Sequence, residues 1–132
     1  MLWSVGARNY LVIECKSGVT TDRLRRRDAE QLAHSVNWFT EEYDNTCTAT
    51  PVLVHKTKLL ARDATAPPGT CIITAEQLDQ LRTAIRSAAV ALGDAGTWRN
   101  PDAVGTQLTH HRLNGYSMIS AYAVQPRRPP GR

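Results

Sequence analysis

Glu14 and Lys16 stand two residues apart at the end of an apolar run, Tyr10-Leu11-Val12-Ile13-Glu14-Cys15-Lys16, which Ser17-Gly18 then breaks. The run is built of strand formers, and in a strand residues i and i+2 point to the same side. Glu14 and Lys16 therefore share one face, roughly 6–7 Å apart along the strand. Leu11, Ile13 and Cys15 take the other face. A carboxylate and an ammonium set side by side at the end of a buried strand have two uses. They can hold a divalent metal ion and a water, or they can neutralise one another as a salt bridge, an ordinary pairing on sheet faces.

The elements that must position this pair follow from periodicity. Leu2 to Val5 reads as a short strand and Gly6 to Asn9 as a turn, so residues 2–16 form a hairpin. The chain thus begins inside a strand. After Ser17-Gly18, Thr21 or Asp22 can cap a helix running from Arg23 to about Tyr43, with Leu24, Leu32, Val36 and Phe39 near helical spacing. Trp38 and Phe39 read as core residues, and Asp28 as a helix-surface residue. Arg25-Arg26-Arg27 sits in the first turns, where arginine opposes the helix dipole. The triplet is either a solvated basic face or a ridge for phosphate oxygens.

A third strand is centred on Pro51-Val52-Leu53-Val54, apolar enough to be covered on both sides. His55 ends it, and a lone His there reads as structural. A basic, then Pro-rich loop leads to a short fourth strand, Thr70 to Ile73. Thr74-Ala75-Glu76-Gln77 is a capping box opening a helix to about Leu92, with Leu78, Leu81, Ile85, Ala88, Ala89 and Leu92 on one face. Asn100-Pro101 starts another helix to about Leu113, and Tyr116 to Tyr122 adds a turn or two. Gln125 to Arg132 is rich in Pro and Arg and is expected to be disordered.

With 132 residues, 42% apolar and 21% charged, the chain suits one globular domain. A net charge of +4 favours an anionic partner such as nucleic acid. Cys15, Cys47 and Cys71 are odd in number and widely spaced, which fits a reducing cytoplasmic setting. No Cys or His spacing indicates a zinc site. There is no signal pattern and no apolar run near the ~20 residues of a membrane span. A soluble, cytoplasmic protein is expected.

With strand, strand, helix, strand, strand, helix in order and Glu-x-Lys on the second strand, the chain resembles the PD-(D/E)XK nuclease superfamily, the restriction-endonuclease-like fold. The resemblance rests on Leu11 to Gly18, the basic helix with Gln31, and the strand–helix unit from Thr70 to Leu92. Leu2-Trp3, Glu14 to Gly18, Asn37 to Phe39 and Cys47 to Pro51 narrow it to the nuclease-type domain appended to some bacterial superfamily-2 DEAD/DEAH-box helicases. The fold this implies is α/β: a mixed sheet of about four strands flanked by helices, lacking the family's first helix and carrying extra C-terminal ones. Residues 1–92 would form the core, 93–124 a helical extension and 125–132 a disordered tail.

The resemblance implies that Glu14 binds Mg²⁺ (or Mn²⁺), with the Cys15 carbonyl as a further ligand. It also implies that Lys16 orients the attacking water and Gln31 supports the site. Arg25, Arg26 and Arg27 would steer the DNA backbone, and DNA and a helicase module are the implied partners. The chain departs from the family in having no Asp or Glu in residues 1–13, where the family carries an acidic metal ligand one strand earlier. In the related domains that acid would lie just ahead of Met1. Asp22 and Asp28 are the weak substitutes. The expected function is Mg²⁺-dependent DNA phosphodiester hydrolysis, impaired by the absent acid. The alternatives are a non-catalytic nucleic-acid-binding remnant of a helicase-associated protein and a plain α/β domain with a Glu14–Lys16 salt bridge.

Overall fold

The strand-forming run from Asn9 to Cys15 becomes the second strand, β2, of a four-stranded sheet in a computed structural model that describes residues 1–16 and 22–131. The preceding strand β1 (Leu2–Gly6) pairs antiparallel to it, with Leu2 opposite Val12 and Trp3 opposite Leu11. The turn between them needs left-handed backbone at Gly6, Ala7 and Arg8. After β2 the chain crosses through helix α1 (Arg26–Tyr43) and returns as β3 (Thr48–Val54), parallel to β2. Strand β4 (Cys71–Ile73) adds parallel to β3, giving the order β1-β2-β3-β4. The α/β mixed sheet expected from the sequence is therefore present. Helices α2 (Ala75–Ala95), α3 (Pro101–His110) and α4 (Gly115–Tyr122) complete the chain.

Alternation along the strands divides the core in two. Leu53 and Ile72 face α1 and pack with Leu24, Ala29, Leu32 and Leu60. Leu11, Ile13, Val52 and Ile73 face the other way and pack with Leu81 and Met118 from α2 and α4. Each fully buried Leu or Ile of this kind contributes about 1.5–3 kcal/mol. Glu14 lies opposite Leu53 in the β2–β3 register, which puts it on the α1 side.

Several local expectations are corrected. Helix α1 starts at Arg26 rather than Arg23, because Leu24 is used in extended backbone paired with Leu60. Asp22 is consequently not its cap and instead meets Lys56 at 3.2 Å. Thr21 and Ser17-Gly18 fall outside the described residues. Phe39 is buried as expected, but Trp38 is exposed. On α2 the buried residues are Leu81, Ala84 and Ala88, while Leu78 and Ile85 are exposed. The Thr74 cap is present, and its hydroxyl accepts from Gln77 N–H.

The C-terminal segment also departs from its expected disorder. Val124 and Ile72 exchange two main-chain hydrogen bonds of 2.8 Å, which covers the outer edge of β4. Arg127 N–H donates to the Lys58 carbonyl, and the Arg127 carbonyl accepts from Leu60 N–H, both at 2.8 Å. The tail is held at Arg127 by backbone pairing, which uses an N–H that the prolines around it lack.

Candidate functional site

Glu14 and Lys16 project from the C-terminal end of β2 toward α1, where Gln31 and Ser35 stand four residues apart. Residues i and i+4 lie one above the other on a helix face, so this spacing matches two like-facing residues on a strand. Ser35 Oγ donates to Glu14 Oε1 at 2.5 Å. Lys16 Nζ donates to Gln31 Oε1. Glu14 and Lys16 are each half-buried, and the ion pairs among the described residues do not join them to one another. The two charged groups are steadied separately by the helix. The salt-bridge alternative left open by the sequence does not match this geometry.

The three residues expected at the site, Glu14, Lys16 and Gln31, are thus brought together. Ser35 joins them without having been singled out. The available signal was its position one turn beyond Gln31. A short charge-assisted bond such as Ser35–Glu14 is worth about 1.5–3 kcal/mol and fixes the carboxylate rotamer. Beside Ser35 a cleft of about 190 Å³ opens between α1 and the hairpin, lined by Met1, Leu2, Val12, His34, Ser35 and Trp38.

The main chain of Cys15 completes the set. Ile13 exchanges hydrogen bonds with Met1 on the β1 side, at 2.8 and 3.0 Å. Carbonyls two apart in a strand point the same way, so the Cys15 carbonyl points toward the β1 side, one pair beyond Met1. Lys16 N–H bonds to Val54 on the opposite side at 2.9 Å. One carboxylate oxygen and one carbonyl are oxygen donors of the kind Mg²⁺ takes, and Mg²⁺ is commonly held by one or two carboxylates with waters and substrate phosphate. Among the described residues no three of His, Cys, Asp and Glu converge as a ligand cluster. The residues fit a hard cation held partly by a phosphate, and not a preformed all-protein cage.

A second, buried layer lies beneath the site. Asp28 is 2% exposed, not the surface residue expected from the sequence. Its Oδ2 accepts from Arg25 N–H at 3.2 Å, closing half of a capping box at the start of α1, and meets Arg25 Nε at 3.4 Å. Arg25, a residue without a side-chain acceptor, can be the cap because Asp28 supplies the oxygen. His55, at the end of β3, is equally buried. Its Nδ1 accepts from Thr57 N–H at 3.1 Å, which leaves the proton of the neutral ring on Nε2. Nε2 has no hydrogen-bond partner among the described residues and lies 3.9 Å from Asp28 Oδ2. Burial pushes the imidazole pKa down, opposed by its contact with Thr57 and the charge of Asp28, and reinforced by Arg25 and Lys16. The two side chains set the end of β3 beside the start of α1.

The arginine triplet is split by its neighbours. Arg25 is drawn to Asp28, Arg26 meets Glu30 at 2.6 Å, and Arg27 is exposed. No helix among the described residues is long and apolar enough to cross a membrane. Comparison of this chain with protein-family models, with curated proteins and with solved structures finds no match.

Proposed function

We propose that the chain is a PD-(D/E)XK-like domain that hydrolyses DNA phosphodiester bonds with Mg²⁺ or Mn²⁺. The observation that supports this reading is the separate anchoring of Glu14 and Lys16 by Ser35 and Gln31. A strand-face salt bridge would bring the two charges together. Here each is held as an independent group by its own partner on α1.

Glu14 and the Cys15 carbonyl would hold the metal ion, which supplies positive charge to the phosphate and acidity to a bound water. Ser35 keeps the Glu14 carboxylate in one orientation. Lys16, directed by Gln31, places an ammonium where negative charge develops on the phosphoryl oxygens and where an attacking water can be oriented. Hydrolysis forms one P–O bond from that water and breaks one ester P–O bond, with the departing oxygen taking up a proton. A single carboxylate binds Mg²⁺ weakly, because the ion dehydrates reluctantly. Activity is therefore expected to be low and to rise when Mn²⁺ replaces Mg²⁺.

Conversion of supercoiled plasmid to the open circle tests this. Wild type should nick with Mn²⁺, stop on chelation, and lose the activity in Glu14→Gln. Absence of nicking with either metal at high protein concentration removes the hydrolytic reading. A protein that binds DNA under those conditions is then a non-catalytic nucleic-acid-binding domain.

A further inference from the structure

Three segments far apart in sequence meet at the end of the sheet that carries Glu14 and Lys16. Leu24 pairs in parallel with Leu60, and Leu59 pairs in parallel with Arg127. Leu59 O and Ala61 N bond toward Leu24, whereas Lys58 O and Leu60 N bond toward Arg127. The 58–61 segment is therefore the middle strand of a small three-stranded ladder. Paired residues in neighbouring strands share a face. Leu24 and Leu60 are both buried, so they mark the inner face. Arg23 and Arg25 flank Leu24 and take the outer face with Leu59 and Arg127.

Strand spacing of about 4.8 Å sets the arginine row of the first strand about 10 Å from Arg127, with Arg23 and Arg25 about 6–7 Å apart. Arg23, Arg25, Arg27, Arg62, Arg127 and Arg128 are all exposed in these segments. Of the acids nearby, Asp22 faces Lys56, Glu30 faces Arg26 and Asp28 faces Arg25, while Asp63 adjoins Arg62, so Arg127 is the arginine of the strip on which the test turns.

We propose that the outer face of this ladder, with the C-terminal segment as its third strand, is a phosphate-binding strip for the backbone of a double-stranded nucleic acid running past Glu14 and Lys16. The proposal rests on the nuclease-like reading for its substrate class and extends it to residues outside the site. Arginine suits the strip because its planar fork meets two phosphate oxygens at once. Duplex rather than single strand follows from the side chains. Residues 22–27, 56–62 and 124–131 contain no Phe, Tyr or Trp, and unstacked bases are bound largely by aromatic platforms.

The test measures fluorescence anisotropy of a labelled 20-bp DNA duplex against salt, for wild type, the tail variant Arg127→Gln, and Arg82→Gln with Arg86→Gln on α2. Removing one arginine–phosphate pairing flattens the log–log salt slope by about 0.9. Arg127→Gln should flatten it by about 0.9 and weaken binding on the order of 8-fold at 0.1 M salt. The α2 pair should leave the slope unchanged. Arg127 pairs through its backbone, so the tail variant should keep the wild-type urea midpoint. An unchanged slope in the tail variant, an equal fall in both variants, or tighter binding to the single strand overturns the strip. Tail-dependent duplex binding without plasmid nicking removes hydrolysis and leaves the strip standing. Nicking with a tail-independent slope removes the strip alone.

Discussion

Asp28→Ala should unfold this domain far more easily than an exposed helix substitution would. The carboxylate is buried and caps α1 through the Arg25 N–H at 3.2 Å. Losing a cap of this kind costs about 1 kcal/mol. An acid in the first turn also contributes about 0.3–1 kcal/mol through the helix dipole. His55 adds no bond to lose, because its buried Nε2–H already lacks a hydrogen-bond partner with Asp28 Oδ2 3.9 Å away. The sum is about 1–2 kcal/mol, and for a domain of this size each kcal/mol shifts Tm by about 3–5 °C. Urea unfolding at neutral pH should show a lower midpoint with an unchanged slope. Asp28→Asn keeps an acceptor for the Arg25 N–H and should lose less than Asp28→Ala. If Asp28→Ala lies within about 0.5 kcal/mol of wild type, the range of ordinary surface changes, the Asp28 cap does not hold α1 in place.

Three further outcomes follow from the same geometry. Burial holds the His55 pKa below its ordinary value, so the unfolded chain takes up a proton that the folded chain refuses. This contribution to stability is fully present above about pH 6.5 and is lost as pH falls toward the lowered value; His55→Gln should flatten the urea midpoint between pH 7.5 and 5, and an equal pH dependence in both proteins refutes this. Ser35→Ala should weaken Mn²⁺ binding about tenfold or more, since groups orienting a ligand typically matter by that much, and unchanged affinity would mean that Ser35 does not hold Glu14 for a metal. Leu53→Ala, at a fully buried position facing α1, should cost about 2–5 kcal/mol, whereas Leu78→Ala on exposed α2 surface should stay within about 0.5 kcal/mol; similar losses by chemical denaturation would contradict the assigned burial.

What the amino-acid pattern makes legible here is what depends on neighbours in sequence. The hairpin, the face shared by Glu14 and Lys16, the covered centre of β3 and the Thr74 cap all rest on patterns among residues close in sequence. The features that could not be read rest on partners distant in the chain. Leu24 looks like the first apolar residue of a helix until Leu60 is known to pair with it in extended form. Moving the helix start from Arg23 to Arg26 places Asp28 at the third helical position, where an acid can fold back onto the cap. Ser35 has only its position one turn beyond Gln31 to mark it until Glu14 is placed opposite it. Leu81 and Ala88 of the expected apolar stripe are buried, yet Leu78 and Ile85 are exposed and Ala84, outside the stripe, is covered, so helix phase alone misplaces part of the covered face. The tail's composition argues for disorder, but Val124 and Arg127 are held by main-chain bonds that side-chain composition does not encode.

The central claim is that Glu14 is a metal ligand and not half of a salt bridge. Electron paramagnetic resonance of free Mn²⁺, titrated with the protein in the presence and absence of a DNA duplex, measures this directly. The account predicts one weak Mn²⁺ site per chain, tightened by the duplex, abolished in Glu14→Gln and retained in Lys16→Met. Mn²⁺ uptake that is identical in wild type and Glu14→Gln, with duplex present, would contradict it.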